Sequence, residues 1–226
     1  MRTARAVEYV RAMPARQFTA LDRFIAGLDQ ALHTVFGPVP AVARPNPAAA
    51  CAAQELDPGQ RELAARLMRI NHAGEVAAQA LYQGQALTAR LPQVRGKMQQ
   101  AAQEENDHLA WTAERIAELG GHTSWLNPVW FTHSLALGAL AGLAGDKWSL
   151  GFVAETEHQV VRHLDEHLDR LAPHDTKSRA ILQQMRLDEA QHATTALEAG
   201  AAPLPAPLKQ LMGLTSKVMT RTAFWV

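Results

Sequence analysis

Six side chains with metal-binding chemistry occur in this chain in two matching sets of three. They are Glu75, Glu105 and His108 in the first set, and Glu157, Glu189 and His192 in the second. In each set a Glu precedes a Glu-x-x-His motif, by thirty positions in the first set and thirty-two in the second. A Glu and a His three apart lie on one face of an α-helix, where both can reach the same metal ion. The six residues are therefore candidate ligands of a carboxylate-bridged two-metal site that four helices share.

The spacing within each set fits a helical hairpin. The midpoint between the two glutamates of the first set is Arg90, two residues before Pro92, and that of the second set is Pro173. Because proline disfavours continuing a helix through it, each midpoint predicts the turn of a hairpin. The members of each set then lie at the same height, roughly 22 Å from the turn at about 1.5 Å of rise per residue. Two such hairpins would bring four carboxylates and two imidazoles into one layer of a bundle.

The elements that must position these ligands are predicted to be helices. Hydrophobic residues at helical spacing predict helices over residues 18–36, 60–89, 93–119, 175–199 and 208–221, with Asp175 as an N-cap. An apolar piece over 135–144 leads into a further helix that carries Glu157 and ends near Pro173. No alternating strand pattern of useful length is present, so the fold class is all-α.

We expect a ferritin-like four-helix bundle with a di-iron carboxylate site, plus extra N-terminal and membrane-facing helices. A proline-punctuated linker over 37–59 divides the chain. Residues 1–59 would form an N-terminal tail, an amphipathic helix and the linker, and residues 60–226 the ferritin-like domain.

Charge and cysteine content exclude several classes. Twenty-two Lys and Arg balance twenty-two Asp and Glu, so no nucleic-acid partner is expected. Cys51 is the single cysteine, which can form no internal disulfide and predicts a reducing compartment. The first sixteen residues hold four arginines and one glutamate. A mitochondrial presequence has such a composition, but a disordered tail or an upstream start codon is our interpretation.

The predicted ligand set indicates which metal would bind. Four carboxylates and two imidazoles suit iron or manganese better than zinc, which prefers a smaller set richer in nitrogen or sulfur. Glu105 and Glu189, each beside its own helix's histidine, are placed to bridge both ions, and Glu75 and Glu157 would be terminal ligands. Two ferrous ions can deliver two electrons to O₂, so reaction with O₂ is the chemical expectation. Ligand count alone does not separate a hydroxylase from a ferroxidase.

Four stretches resemble the demethoxyubiquinone hydroxylase family, the Coq7/Cat5 proteins of ubiquinone biosynthesis, in its bacterial form. They run over residues 67–75, 105–111, 153–158 and 188–192, and the most specific string is Asn71-His72-Ala73-Gly74-Glu75. The resemblance covers the chain from about residue 60 to its end. One departure is visible: animal members tend to have His-Tyr where this chain has His163-Leu164, so no role of that tyrosine is transferred.

The resemblance implies a monooxygenase with two iron ions and O₂ as co-substrate. One oxygen atom would enter the ring of a polyprenylated demethoxy-benzoquinol, 2-polyprenyl-3-methyl-6-methoxy-1,4-benzoquinol. The metal-ligand roles carry over onto all six residues named above. A lipid substrate, an external electron donor and a ubiquinone-biosynthesis complex are the implied partners. The implied location is peripheral, on the cytoplasmic side of the inner membrane of a bacterial cell.

The apolar segment over 135–152 bears on that location. Its uninterrupted part is about ten residues, whereas a membrane-spanning helix needs roughly twenty. A core helix is one interpretation. However, Trp125, Trp130 and Trp148 flank the segment, and indoles favour the membrane interface. We therefore predict peripheral insertion into the bilayer.

Four alternatives stay open from the sequence alone. A ferritin-like iron-handling protein would use the same centre to oxidise Fe(II). His163, Glu166 and His167 spell H-x-x-E-H, the inverted zinc-protease signature, although an acidic solvated helix face explains them more simply. His163 could lie near the metals or the quinol or on the surface, and His72 could support the site or pack in the core.

Overall fold

The computed structural model of the chain describes residues 42–226 together with Thr19, Asp29, Leu32, Thr34 and Gly37. The helix predicted over 18–36 therefore lies almost entirely outside the described residues. Within them, a short 3₁₀ turn, Pro47–Ala50, precedes six α-helices. These are α1 (Pro58–Thr88), α2 (Pro92–Glu118), α3 (Asn127–Ala144), α4 (Asp146–Arg170), α5 (Thr176–Glu198) and α6 (Ala206–Ala223). The described part of the chain contains no strand, so the all-α prediction is confirmed.

Two helices begin at acidic caps. The Asp57 carboxylate accepts the N–H of Gln60, whose side chain in turn accepts the N–H of Asp57, so that both otherwise unpaired donors are satisfied at the start of α1. Asp175 accepts the N–H of Ser178 at the start of α5, which confirms the predicted N-cap. Its carboxylate also binds Arg115 at 2.9 Å, and this ion pair ties the start of α5 to the end of α2.

The two predicted hairpins are present. Helices α1 and α2 are joined at residues 89–91, and α4 and α5 are joined at residues 171–175. Together the four helices form the expected ferritin-like bundle. Two apolar clusters fill it, one around Leu67, Trp111 and Ile181 and the other around Tyr82 and Leu150. On each of the four helices the predicted ligands lie between these two clusters in sequence, so the ligand layer crosses the middle of the bundle.

The connection between the hairpins is longer than predicted. The sequence placed an apolar piece over 135–144 before the Glu157 helix, and the structure has a separate helix α3 that ends at Ala144 as expected but begins earlier, at Asn127. Gly145 has φ +119°, a conformation that favours glycine and interrupts the helix. Asp146 follows at once and accepts the backbone N–H groups of Arg90 and Leu91. This bond pair fixes the start of α4 against the first hairpin turn.

Helix α3 lies directly against α1, backbone to backbone. A Cβ atom added to Gly138 would overlap the carbonyl oxygen of Leu81, and one added to Gly84 would overlap the carbonyl oxygen of Leu135. The close approach therefore requires glycine on both helices. Helix α6 completes the fold by contacting α1 and α4. Helices α3 and α6 therefore both lie against the bundle on the side of α1.

Gly138→Ala is expected to lower the free energy of unfolding by about 1–3 kcal/mol, because the added methyl group must push two backbones apart. Gly96→Ala is the matched control, since Gly96 is exposed on α2 with no atom within 4 Å of an added Cβ. The control should gain about 0.5–1 kcal/mol from helix propensity. Urea unfolding of both variants measures the difference. Equal effects of the two substitutions would show that α1 and α3 do not pack this closely.

Candidate metal centre

The six predicted ligands converge in the centre of the bundle. Glu75 lies on α1, the first Glu-x-x-His pair on α2, Glu157 on α4 and the second pair on α5. Each glutamate is at most 3% exposed, and the side chain of His192, the more exposed histidine, is 9% exposed. Ligand atoms of four of the six all lie within 4.8 Å of one another, and these four are Glu75, Glu105, His108 and Glu189.

The first half of the centre is organised around Nδ1 of His108. This atom lies 2.9 Å from Glu105 Oε2, 3.0 Å from Glu189 Oε1 and 3.5 Å from Glu75 Oε2. The histidine therefore faces one carboxylate from its own helix, one from α5 and one from α1.

The second half has the same form around His192. Its Nδ1 lies 3.1 Å from Glu189 Oε2 and 3.5 Å from Glu105 Oε1. Glu105 and Glu189 thus each turn one oxygen toward each histidine, which is the arrangement that a bridging carboxylate needs. Glu157 completes this half: it interacts with Glu189 and accepts a hydrogen bond from the Tyr82 hydroxyl. The assignment of the six residues as metal ligands itself remains a prediction.

The four glutamates place several carboxylates close together in this buried layer, and this shifts the pKa values of the groups there. Burial, reinforced by the charge of Glu105, raises the pKa of Glu75 well above its usual value. Burial raises the pKa of Glu157 in the same way, helped by Glu189. Burial by itself would lower the pKa of His192, but its hydrogen bond to Glu189 and the nearby carboxylate charges raise the pKa to about 11. Carboxylates packed this closely are costly to fold around and indicate a cation-binding function.

The residues fit a two-metal centre of hard cations. One buried carboxylate oxygen of the cluster, Glu157 Oε2, has no hydrogen-bond partner within the described chain. Glu189 Oε1 and Glu105 Oε1 face only the Nδ1 atoms of the two histidines, at 3.0 Å and 3.5 Å. Buried polar atoms normally have a partner, so an orphaned oxygen beside two oxygens that face potential ligand nitrogens favours coordination in this layer. The set of four carboxylates and two imidazoles matches iron or manganese in its chemistry.

Two further carboxylates hold the outer edges of the histidine rings. Nε2 of His108 lies 2.9 Å from Asp188 Oδ2, and Nε2 of His192 lies 2.7 Å from Glu104 Oε2. Each histidine is thus braced by a residue of the other Glu-x-x-His helix. Outer partners of this kind fix the orientation of a ligand ring.

Sequence reasoning missed Asp188, Glu104 and Tyr82, although a signal existed for each. An acidic residue directly precedes the Glu of both Glu-x-x-His motifs, and this repeat could have identified Glu104 and Asp188 as the partners of the two histidines. Tyr82 stands seven positions after Glu75, which is two helical turns on the same face of α1.

An apolar pocket reaches the centre from one side. It has a volume of about 350 Å³ and lies between α1, α3, α4 and α6. Glu75 is part of its wall, as are Trp130, Phe152 and Met212. Leu211 also lines it while 59% exposed, so the pocket opens beside this residue. A pocket of this size and apolar character is typical of small-molecule sites.

The three other histidines that the sequence analysis named fall outside the cluster. His163 lines the apolar pocket, and its Nε2 lies 3.0 Å from the Ser216 hydroxyl. It is therefore not simply a surface histidine. His167 is buried and bonds to Asn71, so the H-x-x-E-H residues do not gather as zinc ligands. Burial lowers the pKa of His72 to about 4, and its nearest polar partner is Asn127 rather than a predicted ligand.

His167 makes stability depend on pH. Its Nδ1 donates to Asn71 Oδ1 at 2.9 Å, and burial, aided by the charges of His163 and Arg170, lowers its pKa to about 3. Between pH 6.5 and 3 the unfolded chain therefore binds a proton here that the folded chain does not. The stability that the neutral His167 contributes is fully present above pH 6.5. As the solution is acidified toward pH 3, this contribution to the free energy of unfolding falls by about 1.4 kcal/mol per pH unit.

His167→Gln should therefore reduce the loss of unfolding free energy between pH 7.5 and pH 5 by about 2 kcal/mol. Denaturant unfolding with chelator at the two pH values measures this. The control is His158→Gln on the same helix, where the side chain is exposed. Its fall in unfolding free energy between the two pH values should equal that of the parent. An unchanged loss in His167→Gln would contradict the neutral, buried histidine.

Comparison with known proteins identifies the family. The family described as ubiquinone biosynthesis protein COQ7 matches residues 62–223. A 3-demethoxyubiquinol 3-hydroxylase of Nitrosococcus oceani is 59% identical over 214 residues, which span 95% of this chain and 100% of that protein. Proteins of the same name from Nitrosomonas eutropha and Ectopseudomonas mendocina are 57% and 56% identical, over 91% and 92% of this chain and 99% and 97% of theirs. By its sequence, its helical fold and its buried Glu/His cluster, this chain belongs to the COQ7 family of ubiquinone biosynthesis proteins.

Proposed function

We propose that this protein is a di-iron, O₂-dependent monooxygenase that hydroxylates the ring of a polyprenylated demethoxy-benzoquinol in ubiquinone biosynthesis. The family match and the relatives named 3-demethoxyubiquinol 3-hydroxylase support the reaction and the substrate class. The observation that carries the proposal is the apolar pocket that ends at Glu75. An iron-storage protein has no need of an apolar pocket at its metal layer, so this feature favours an organic substrate.

The residues of the pocket suggest how the substrate is held. Apolar side chains from four helices surround it, and they suit a methylated ring with a prenyl tail. Asn71 and His163 are two of the polar residues of the wall and can hydrogen-bond the quinol oxygens. Because Glu75 belongs to both the pocket wall and the predicted ligand set, the ring would lie beside the metal centre.

The six predicted ligands would hold two iron ions, Glu105 and Glu189 as bridges and Glu75 and Glu157 as terminal ligands. Two ferrous ions supply two electrons for the activation of O₂. The two apolar clusters above and below the ligand layer exclude water from the centre. Tyr82 holds Glu157 by its hydroxyl group and keeps that carboxylate directed into the layer.

The reaction needs a source of two electrons. One oxygen atom of O₂ replaces a ring hydrogen as hydroxyl, and the other leaves as water, which consumes two electrons and two protons. The chain has no G-x-G-x-x-G dinucleotide fingerprint. We therefore propose that another protein or the quinol itself supplies the electrons, and that a ubiquinone-biosynthesis complex is a further partner.

We also propose that the protein binds the membrane surface from the cytoplasmic side of a bacterial inner membrane. In the part of the chain that the structure describes, no helix is long and apolar enough to cross a bilayer. Helix α6 exposes Leu211, Leu214 and Val218, which share one helix face beside the pocket opening. The exposed Trp125 and Trp225 suit the interfacial region of a bilayer. A lipid substrate could then enter the pocket without crossing water.

The purified protein is expected to float with neutral liposomes, and Leu211→Gln with Leu214→Gln should abolish flotation, because the apolar face of α6 is lost. The matched control is Leu187→Gln with Leu197→Gln, a pair of α5 leucines that are 59% and 52% exposed. The control should float like the parent. Equal flotation of all three proteins would rule out α6 as the membrane-binding face.

The test of the function is a mass-spectrometric quinone profile. A bacterial host that lacks this hydroxylation step is compared with and without the gene, and with a Glu157→Gln variant. Restored ubiquinone and loss of the demethoxy precursor are expected only with the parent gene. An unchanged profile with folded, iron-loaded protein would contradict the proposal.

A further inference from the structure

Arg44, from the segment before the bundle, reaches two carboxylates beside the metal centre. Its Nε lies 2.8 Å from Asp107 Oδ2 and its Nη1 lies 2.8 Å from Asp188 Oδ2. The guanidinium carbon lies 5.0 Å from the centre of the Trp111 ring, within the range of a cation–π contact. Asp107 also accepts the backbone N–H of Ala43 at 2.7 Å. The segment is thus fixed to α2 and α5 at the level of the predicted ligands.

Asp188 transmits this contact to His108. The same oxygen, Oδ2, accepts from Arg44 Nη1 and lies 2.9 Å from His108 Nε2, while Oδ1 accepts from Gln184 at 2.9 Å. Both oxygens of Asp188 are therefore held, and the carboxylate cannot turn away from the imidazole. A guanidinium suits this task because its planar, rigid donors can bind two carboxylates at once.

The other half of the centre has weaker support within the described residues. Glu104 holds His192 in the corresponding way, but its side chain is 40% exposed and its other oxygen, among those residues, accepts only from Gln100. Among the described residues Glu104 forms no ion pair with a Lys or an Arg. His108 is fully buried, whereas the side chain of His192 is 9% exposed. The two halves therefore match in their ligands and differ in how firmly the histidine is held.

We propose that Arg44 is a positioning residue of the metal centre, which acts through Asp188 to fix His108 and makes the His108 half bind a metal ion more tightly than the His192 half. The inference rests on the proposed two-metal centre. It goes beyond that function because it assigns a role to a segment outside the bundle and predicts two unequal sites. Outer hydrogen bonds to a ligand histidine typically change metal affinity by about 10–100-fold.

The test is a titration of metal-free protein with Co(II) under anaerobic conditions, followed by visible absorption, which reports the coordination of each ion. The parent is expected to bind two ions in two separate steps. Arg44→Gln should weaken the tighter step by about 10–100-fold and leave the weaker step unchanged. Arg44→Lys, which keeps the charge but lacks the planar fork, should give an intermediate loss. Glu104→Gln should instead weaken the second step.

Arg186→Gln is the matched control. Arg186 also pairs with an aspartate, Asp165 at 3.1 Å, and its side chain is 42% exposed against 38% for Arg44. Both Co(II) steps should be as in the parent. If Arg44→Gln does not fold, judged by circular dichroism, Arg44→Lys decides.

Each outcome separates this inference from the proposed function. The parent could bind Co(II) in two steps while Arg44→Gln leaves both affinities unchanged or lowers both equally. That result would overturn the positioning role and leave the two-metal centre intact. A parent protein that binds fewer than two ions would contradict the proposed function itself. Selective loss of the tighter step, with normal helix content, would establish the role.

Discussion

Glu157→Gln is expected to reduce hydroxylation to background while the protein keeps its helix content. Glu157 is 1% exposed and faces Glu189 in the ligand layer, so a neutral amide of the same shape removes one predicted terminal ligand without leaving a cavity. The loss should exceed the roughly 10–100-fold that an outer partner costs. Metal analysis should show fewer than two irons per chain, and circular dichroism should be near normal. Glu157→Ala is expected to be equally inactive.

The metal-free Glu157→Gln variant is also expected to be at least as heat-stable as the metal-free parent. Four buried carboxylates in one layer repel one another, so removing one relieves an unfavourable interaction. The amide oxygen of the new side chain can still accept the Tyr82 hydroxyl. The control is Glu166→Gln on the same helix, whose side chain is 71% exposed and which should keep full activity. Full activity of Glu157→Gln would contradict the ligand assignment.

Gly74→Leu is expected to lower kcat/KM for the quinol by about 100-fold or more without loss of iron. Gly74 lines the apolar pocket next to Glu75, and no atom lies within 4 Å of an added Cβ. A leucine there would occupy space that the substrate ring needs, and a displacement of about 1 Å from the reacting position can cost 100-fold. The helix itself should not suffer, because leucine is a better helix former than glycine.

Gly96→Leu provides the control, since Gly96 has equally free space on the exposed face of α2. It should show the parent's kcat/KM and iron content. Iron oxidation by O₂ in the absence of quinol should be unaffected in both variants, which separates loss of the substrate site from loss of the centre. Normal kcat/KM in Gly74→Leu would mean that the substrate ring binds elsewhere.

The convergence of the six candidate ligands and the two hairpins could be predicted from the sequence because both depend on local spacing. Glu-x-x-His places two ligands on one helix face, and a proline near each midpoint marks the turn. Those rules were sufficient to bring six residues from four helices into one layer. The N-cap at Asp175 could be predicted for the same reason, because it depends only on an aspartate that stands directly before a helix.

Contacts between distant segments could not be predicted. Arg44 lies 63 positions before Asp107 and 144 before Asp188, and no local pattern links a single arginine in a proline-rich linker to either carboxylate. Helix α3 begins at Asn127, eight residues before the predicted apolar piece, because Pro128 is tolerated in the first turn of a helix. The contact of Gly84 with α3 depends on which helices become neighbours, and that is decided by the packing of the whole bundle.

The most direct test of the central claim is an isotope measurement on purified, iron-loaded protein. A demethoxy-benzoquinol with a short prenyl tail is incubated with ¹⁸O₂ and a chemical reductant, and the ring product is weighed by mass spectrometry. One ¹⁸O atom is expected in the new hydroxyl group of the parent's product, and no labelled product from Glu157→Gln. Consumption of O₂ and oxidation of iron without a labelled ring product would contradict the proposed hydroxylation and would indicate an iron-oxidising protein.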